Sequence, residues 1–192
     1  MCLMNAAGKK KTATFSEIDF DNEDCKKMSI TKKKIAVFAG SFDPLTKGHE
    51  SIILRAMPLF DEIHVMIGVN SQKPGMFSVE KRIEWIETVF KEYPKVKSAS
   101  HTGLTVDYCR QVGASYILRG VRSTTDFQYE QNIARINQTL DVGIETIFML
   151  TLTEDTPISS SAVRELLMFG GNVSKFVPSI IAQSIQNVKN TL

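Results

Sequence analysis

A ten-residue segment with the sequence GSFDPLTKGH holds the residues of this chain best suited to bind phosphate. Gly40, its first residue, allows a ligand to approach the backbone closely, and Ser41 offers both a hydroxyl and an N–H group. Gly48 and His49 open the next predicted helix, whose first N–H groups lack partners and carry the positive end of the helix dipole. We therefore expect His49 to donate to a phosphate oxygen, the alternative being a polar residue at a helix start.

Two more cationic side chains follow later apolar runs. Lys73 lies in a polar loop after the second run and would be a solvated surface lysine if no ligand lay nearby. Arg119 directly follows a run that should be buried, where a guanidinium is costly unless it meets an anion. Either a bound phosphate or an ion pair with Asp126 or Glu130 would explain this arginine.

A serine-rich turn precedes a helix near the end of the chain. Ser159, Ser160 and Ser161 stand at its N-terminus, with Arg164 one turn later. Their hydroxyls could either cap the helix or surround a phosphate. The cations, hydroxyls and two helix N-termini together suit polyphosphate chemistry without a covalent intermediate. The sequence contains no Walker loop, no kinase motifs, no GxSxG elbow and no GxGxxG fingerprint.

These polar groups follow predicted strands that alternate with predicted helices. Such alternation implies parallel strand pairing with right-handed crossovers, so we predict an α/β fold with a doubly wound, parallel, five-stranded sheet covered by helices on both faces. Ligands bind at the carboxyl ends of the strands in such sheets. Apolar runs predict the strands Ile35–Ala39, Ile63–Gly68, Val96–Ser100, Tyr116–Leu118 and Ile144–Leu150. Periodic apolar residues predict helices at Ile52–Phe60, Ser78–Phe90, Leu104–Val112, Thr125–Leu140, Ser160–Phe169 and Ser179–Val188.

The composition is that of an ordinary globular protein of 192 residues, 43% hydrophobic and 23% charged. A net charge of +2 argues against a general nucleic-acid binder, and no apolar run is long enough to span a membrane. Three scattered cysteines, and an N-terminus without a secretory pattern, favour reduced thiols in a cytoplasmic protein. Residues 1–33 are polar, and their charges occur in blocks of like sign. We therefore predict a disordered tail followed by a single domain over residues 34–192.

The motifs resemble those of a nucleotidyltransferase superfamily. Thr46-Lys47-Gly48-His49 is similar to its (H/T)xGH signature, and the sequence ISSSAVR from Ile158 to Arg164 is similar to its ISSTxxR signature. The sequence RGVRSTTDFQYE from Arg119 to Glu130, with the lysine loop, resembles bacterial phosphopantetheine adenylyltransferases in particular. The resemblance covers residues 34–188 and implies a Rossmann-like nucleotidyltransferase fold.

The resemblance also implies roles for individual residues. His49 and Lys73 would be catalytic, because they would stabilise charge on the reacting phosphorus. The acceptor substrate would bind at Ser41, Lys73, Thr105 and Arg119. ATP would bind at Ser41, Phe42, His49, Gly120, Val121, Arg122, Glu130, Asp155, Thr156, Pro157, Ile158, Ser159, Ser160 and Ser161.

The implied reaction transfers AMP from ATP to 4′-phosphopantetheine and yields dephospho-coenzyme A and pyrophosphate. A phosphate oxygen of the acceptor would attack the α-phosphorus directly, so catalysis would consist of alignment and charge stabilisation. Mg²⁺ would bridge ATP oxygens and be held mainly by substrate and water, with no protein ligand. The resemblance further implies a homohexamer and coenzyme A as a feedback ligand.

Two alternative functions remain at the level of sequence. One is a sister nucleotidyltransferase that uses another phosphate acceptor, such as nicotinate mononucleotide. The other is a nucleotide-binding regulatory protein without catalytic activity, against which the full set of cationic groups argues. ATP/pyrophosphate exchange would separate an enzyme from a binding protein.

Overall fold

A computed structural model describes residues 33–70 and 74–189 of the chain. Within them, five strands alternate with helices, as the apolar pattern predicts. The strands are β1 (Ile35–Gly40), β2 (Glu62–Gly68), β3 (Val96–His101), β4 (Tyr116–Val121) and β5 (Glu145–Leu150). The helices are α1 (Lys47–Ala56), α2 (Val79–Val89), α3 (Thr105–Val112), α4 (Thr124–Leu140), α5 (Ser160–Met168) and α6 (Ser179–Lys189), with a 3₁₀ turn at Thr153–Asp155.

The strands form one parallel sheet in the order β3-β2-β1-β4-β5. The chain runs outward from β1 to β3 and then returns to the other side of β1 to form β4 and β5. The order therefore reverses between β1 and β4, which opens a crevice at their carboxyl ends. The predicted doubly wound, five-stranded fold is confirmed.

The central strand β1 is buried on both faces, because its side chains alternate between two apolar clusters. Ala36 and Phe38 pack into the larger cluster with α1, α2 and α6. Val37 points the other way and packs with Val106 and Cys109 of α3. Helices therefore cover both faces of the sheet, which explains why β1 reads as an uninterrupted apolar run.

Most predicted helix bounds agree with the structure to within one or two residues, but the first helix is an exception. The apolar spacing predicts helix through Phe60, whereas α1 ends at Ala56 and Met57 forms its C-cap. Phe60 is nevertheless buried in the larger core cluster, so its position reflects tertiary packing rather than helical periodicity. Ser78 caps α2 as predicted, since its hydroxyl accepts from the N–H of Lys81.

The predicted N-terminal tail lies outside the described residues, apart from Lys33 at its end. Its disorder, and the division of the chain at that point, stay predictions. In the ranges that the structure describes, no helix is long and apolar enough to cross a membrane.

Gly120 in β4 is required by close packing against the first helix. A Cβ at this position would lie 2.2 Å from Cδ1 of Ile52, a core residue that is almost completely buried. The end of the Ile52 side chain must therefore shift if Gly120 gains a Cβ. The absence of a side chain at Gly120 thus leaves room for Ile52 of α1 to pack against β4.

Replacing Gly120 with alanine should lower the free energy of unfolding by about 1–3 kcal/mol, because the new methyl group overpacks this contact. Ile52→Val removes the clashing methyl group. The double variant should therefore lose less free energy of unfolding than the sum of the losses in the two single variants. Denaturant unfolding of the four proteins measures this coupling. Strictly additive losses would show that Ile52 does not limit the space at Gly120.

Candidate active site

A cavity of about 270 Å³ opens at the carboxyl ends of β1 and β4, where the strand order reverses. Loops and helix N-termini from four separate parts of the chain surround it. The residues that the sequence predicts for the site and that line this cavity are Ser41, Phe42, His49, Arg119, Gly120, Arg122, Glu130, Ile158, Ser159, Ser160 and Ser161.

The remaining predicted site residues do not line the cavity. Val121, the last residue of β4, is buried and does not line the cavity. Asp155 is buried beside Gly48 at the start of α1. Thr105 follows β3 at the far edge of the sheet. Lys73 lies outside the described residues, and Thr156 and Pro157 are exposed before α5.

His49 takes part in a capping box at the start of α1. Its Nδ1 accepts the backbone N–H of Thr46 at 3.1 Å, and the Thr46 hydroxyl accepts the backbone N–H of His49 at 3.4 Å. Because a backbone N–H can only donate, Nδ1 must be the acceptor, and the neutral ring carries its proton on Nε2. The capping alternative and the phosphate-binding hypothesis are therefore compatible, since each uses a different ring nitrogen.

The surroundings of His49 keep its ring neutral. Burial, reinforced by the positive charges of Arg122 and Arg119, lowers the pKa of His49 from its ordinary value to about 4. The ring also packs edge-on against Phe42 and Phe38, with centroids 5.1 and 6.0 Å away. His49 is thus a fixed, uncharged N–H donor at the wall of the cavity.

Arg119 forms the ion pair that the sequence offers as an alternative to phosphate binding. Its Nε donates to Glu130 at 2.7 Å, a second nitrogen donates to the other oxygen of that carboxylate, and the third donates to the carbonyl of Ala39. Glu130 is buried, so this pair fixes the guanidinium plane. Three of its five N–H groups are engaged, which leaves two for a ligand.

The three serines before α5 have separate contacts. Only Ser159 caps the helix, since its hydroxyl accepts from the N–H of Ala162. Ser160 donates to the carbonyl of Pro44 at 2.9 Å and so ties the serine turn to the β1 loop. Ser161 accepts from Arg164 at 3.1 Å.

Arg164 and Asp43 are functional candidates to which the sequence analysis gives no binding or catalytic role. Arg164 lines the cavity and donates to the Asp43 carbonyl at 2.8 Å. The buried carboxylate of Asp43 accepts the backbone N–H groups of Met76 and Phe77 at 2.8 and 2.9 Å, so it joins the β1 loop to the loop before α2. The position of Arg164 in the ISSSAVR segment is the signal in the sequence that points to it.

Arg82 of α2 also supports this loop, although it does not line the cavity. It is buried and donates to the carbonyl of Ser41 at 2.7 Å and to that of Ser78 at 3.2 Å. Among the residues that the structure describes, it has no carboxylate partner. The only signal in the sequence is a charged residue on the buried face of an amphipathic helix.

The charges at the cavity suit an anionic ligand. Arg119, Arg122 and Arg164 supply positive charge, while the carboxylates of Glu130 and Asp126 already pair with arginines. Among the described residues, no cluster of histidine, cysteine and acidic side chains could hold a metal ion.

Comparison with known proteins places this arrangement in a family. The family model described as cytidylyltransferase-like matches residues 37–166. The phosphopantetheine adenylyltransferase of Flavobacterium psychrophilum is 50% identical over 76% of this chain and 96% of its own length. Those of Porphyromonas gingivalis and Lachnoclostridium phytofermentans are 48% and 43% identical over 77% and 82% of this chain, and over 95% and 96% of their own.

A solved structure shares the fold at a much lower sequence identity. The crystal structure of a putative nicotinate-nucleotide adenylyltransferase from Vibrio parahaemolyticus aligns with a TM-score of 0.57 and 17% identity, over 81% of this chain and 99% of that one. This likeness concerns the fold alone, whereas the relatives described above at 43–50% identity are phosphopantetheine adenylyltransferases. The chain belongs to the phosphopantetheine adenylyltransferases, within the cytidylyltransferase-like nucleotidyltransferases.

Proposed function

We propose that the chain transfers AMP from ATP to the phosphate of 4′-phosphopantetheine, releasing pyrophosphate and dephospho-coenzyme A. The observation that carries this proposal is the cavity at the β1–β4 crevice, where the neutral Nε2–H of His49 lies with three arginines and two helix N-termini. The names of the curated relatives supply the acceptor.

The reaction needs alignment rather than a general base. The phosphate of the acceptor is already ionised at neutral pH, so one of its oxygens attacks the α-phosphorus of ATP in line with the departing pyrophosphate. Negative charge gathers on the α-phosphate oxygens as the phosphorus becomes five-coordinate. We assign the stabilisation of that charge to His49 and Lys73.

The ATP phosphates bind at the N-termini of α1 and α5, where the helix dipoles favour anions. At α1, the N–H groups of Lys47 and His49 already donate to the Phe176 carbonyl and the Thr46 hydroxyl. Phe42, Gly120, Arg122 and Ser161 contribute from the cavity wall. Mg²⁺ would enter with ATP as part of the substrate and would neutralise phosphate charge.

The acceptor phosphate binds on the Arg119 side of the cavity. The Glu130 ion pair holds the guanidinium so that its two remaining N–H groups can grip one phosphate together. Ser41 contributes its hydroxyl from the opposite loop. The family resemblance assigns Lys73 and Thr105 to the proposed acceptor side, although Thr105 does not line the cavity.

We further propose a cytoplasmic homohexamer with coenzyme A as a feedback ligand. The exposed surface of α4 supports association between subunits. Glu130 is the only buried residue of this helix, and Tyr129 and Ile136 are 64% and 56% exposed. Large apolar side chains left in solvent on one long helix favour contact with another subunit.

The proposed acceptor is tested by supplying ATP with either 4′-phosphopantetheine, pantetheine or nicotinate mononucleotide. Only the first should give an adenylylated product and release pyrophosphate, because the acceptor phosphate is both the nucleophile and the ligand of Arg119. Mass spectrometry of the product identifies it. Equal turnover of pantetheine, or a preference for nicotinate mononucleotide, would overturn the assignment.

His49→Ala should lower kcat by about 10²–10³, with a much smaller change in the KM for ATP, because the Nε2 contact strengthens only in the transition state. It should also lower the melting temperature, because it removes the acceptor of the capping box.

His49→Gln separates these two roles, since a glutamine at this helix position can still accept the Thr46 N–H. Its melting temperature should stay near that of the native protein while kcat remains low. The folded-state pKa of His49 lies below its ordinary value, so its contribution to stability is complete above about pH 6.5 and is lost as the pH falls towards 4. His49→Gln should show less acid destabilisation in that window, and a native kcat in this variant would restrict His49 to capping.

Arg119→Ala should weaken binding of 4′-phosphopantetheine while the affinity for ATP stays roughly constant. The variant should also be less stable, because Glu130 loses its partner in a buried position. Arg119→Lys should not restore acceptor binding fully, since an ammonium cannot hold Glu130 and phosphate through paired parallel bonds. Calorimetry that finds native acceptor affinity in Arg119→Ala would contradict this role.

A further inference from the structure

Arg82 is a buried charge whose presence needs an explanation. Only 7% of the residue is exposed, and it forms no ion pair with any carboxylate in the described ranges. A buried guanidinium in this position costs free energy relative to an apolar side chain of similar size. The guanidinium does not contact a ligand in the cavity directly, since Arg82 does not line the cavity.

The strongest contact of Arg82 is with the loop that follows β1. One guanidinium nitrogen donates to the carbonyl of Ser41 at 2.7 Å, and Nε anchors the side chain on the carbonyl of Ser78. An added Cβ at Gly75 would lie 3.2 Å from this guanidinium and 3.1 Å from the Asp43 carboxylate. The space around the Arg82–Ser41 contact is therefore closely filled.

This contact determines which way the Ser41–Phe42 peptide faces. The bond is trans, so the carbonyl of Ser41 and the N–H of Phe42 point in opposite directions. The carbonyl points towards Arg82, away from the cavity. The N–H of Phe42, on the other side of the peptide, can then face the cavity, whose wall both residues form.

The backbone at Phe42 is in a conformation that would otherwise be disfavoured. Its φ is +44°, in the left-handed region that residues with a side chain rarely adopt. The Phe42 ring is held between Phe38 and His49, and Gly40 leaves room for it because a Cβ there would lie 3.0 Å from the ring. Strain of this kind persists where surrounding contacts maintain it, commonly at ligand sites.

We propose that Arg82 is a positioning residue for adenylyl transfer: by holding the Ser41 carbonyl outward, it keeps the Phe42 N–H directed at the ATP phosphates. Without this contact the peptide can rotate, and a carbonyl oxygen replaces an N–H donor opposite the phosphates. The inference rests on the proposed function, because it requires a polyanionic nucleotide in the cavity.

The test compares Arg82→Met, Arg82→Lys and a matched control, Ile86→Ala. Ile86 lies one turn further along α2, is buried, and is part of the apolar core, so its variant lowers stability while the Arg82–Ser41 hydrogen bond stays in place. Melting temperature, kcat, the KM of both substrates and the calorimetric affinity for ATP are measured on each folded variant.

Arg82→Met should lower kcat at least about tenfold and weaken ATP binding, since it compromises a donor to the transferred group. The KM for 4′-phosphopantetheine should change little. Arg82→Lys should recover part of the loss, because an ammonium can still donate to one carbonyl. Ile86→Ala should keep native kcat despite a lower melting temperature.

A native kcat and ATP affinity in Arg82→Met would overturn the proposal, as would an equal fall in Ile86→Ala. The ATP affinity needs no acceptor, so it reports on the peptide even if the acceptor assignment fails. Absence of dephospho-coenzyme A with the native protein would instead contradict the proposed function.

Discussion

The loop after β1 is the constraint on which the rest of the site depends. Its carbonyl oxygens would repel phosphate if they faced the cavity, and the fold pairs three of them with side chains from other helices. Arg82 of α2 holds the carbonyl of Ser41, while Arg164 and Ser160 of α5 hold those of Asp43 and Pro44. The same contacts bring the N-termini of α1 and α5 together, so one set of hydrogen bonds shapes the backbone and gathers the anion-binding groups.

The electrostatics of the cavity depend on which arginines are paired with carboxylates and which of their N–H groups stay available to a ligand. Glu130 and Asp126 compensate two arginines without cancelling the positive character of the cavity, because each guanidinium keeps further N–H groups. His49 is kept neutral by those same arginines and by burial, and it therefore acts as a directed N–H donor in the absence of ligand. A preorganised donor of this kind needs little reorganisation when charge develops on a bound phosphate.

Much of this arrangement can be predicted from the sequence, because the alternation of strands and helices implies that loops after parallel strands meet at one edge. That reasoning finds the fold and most of the residues that line the cavity, including His49 and Arg119. It also includes Val121, which is buried, and Thr105, which follows the edge strand β3, and neither residue lines the cavity. Arg82 is not found, since a charged residue in an amphipathic helix looks like a solvated one until its burial and its partners are known.

Direct displacement at a preorganised phosphate site is the central claim, and its stereochemistry is the most direct test. The native protein is given 4′-phosphopantetheine and one diastereomer of ATP carrying sulfur on the α-phosphorus, and the configuration of the resulting thio-substituted dephospho-coenzyme A is determined. A single in-line attack predicts inversion at phosphorus. Retention would show two successive displacements through an adenylylated residue and would contradict this account.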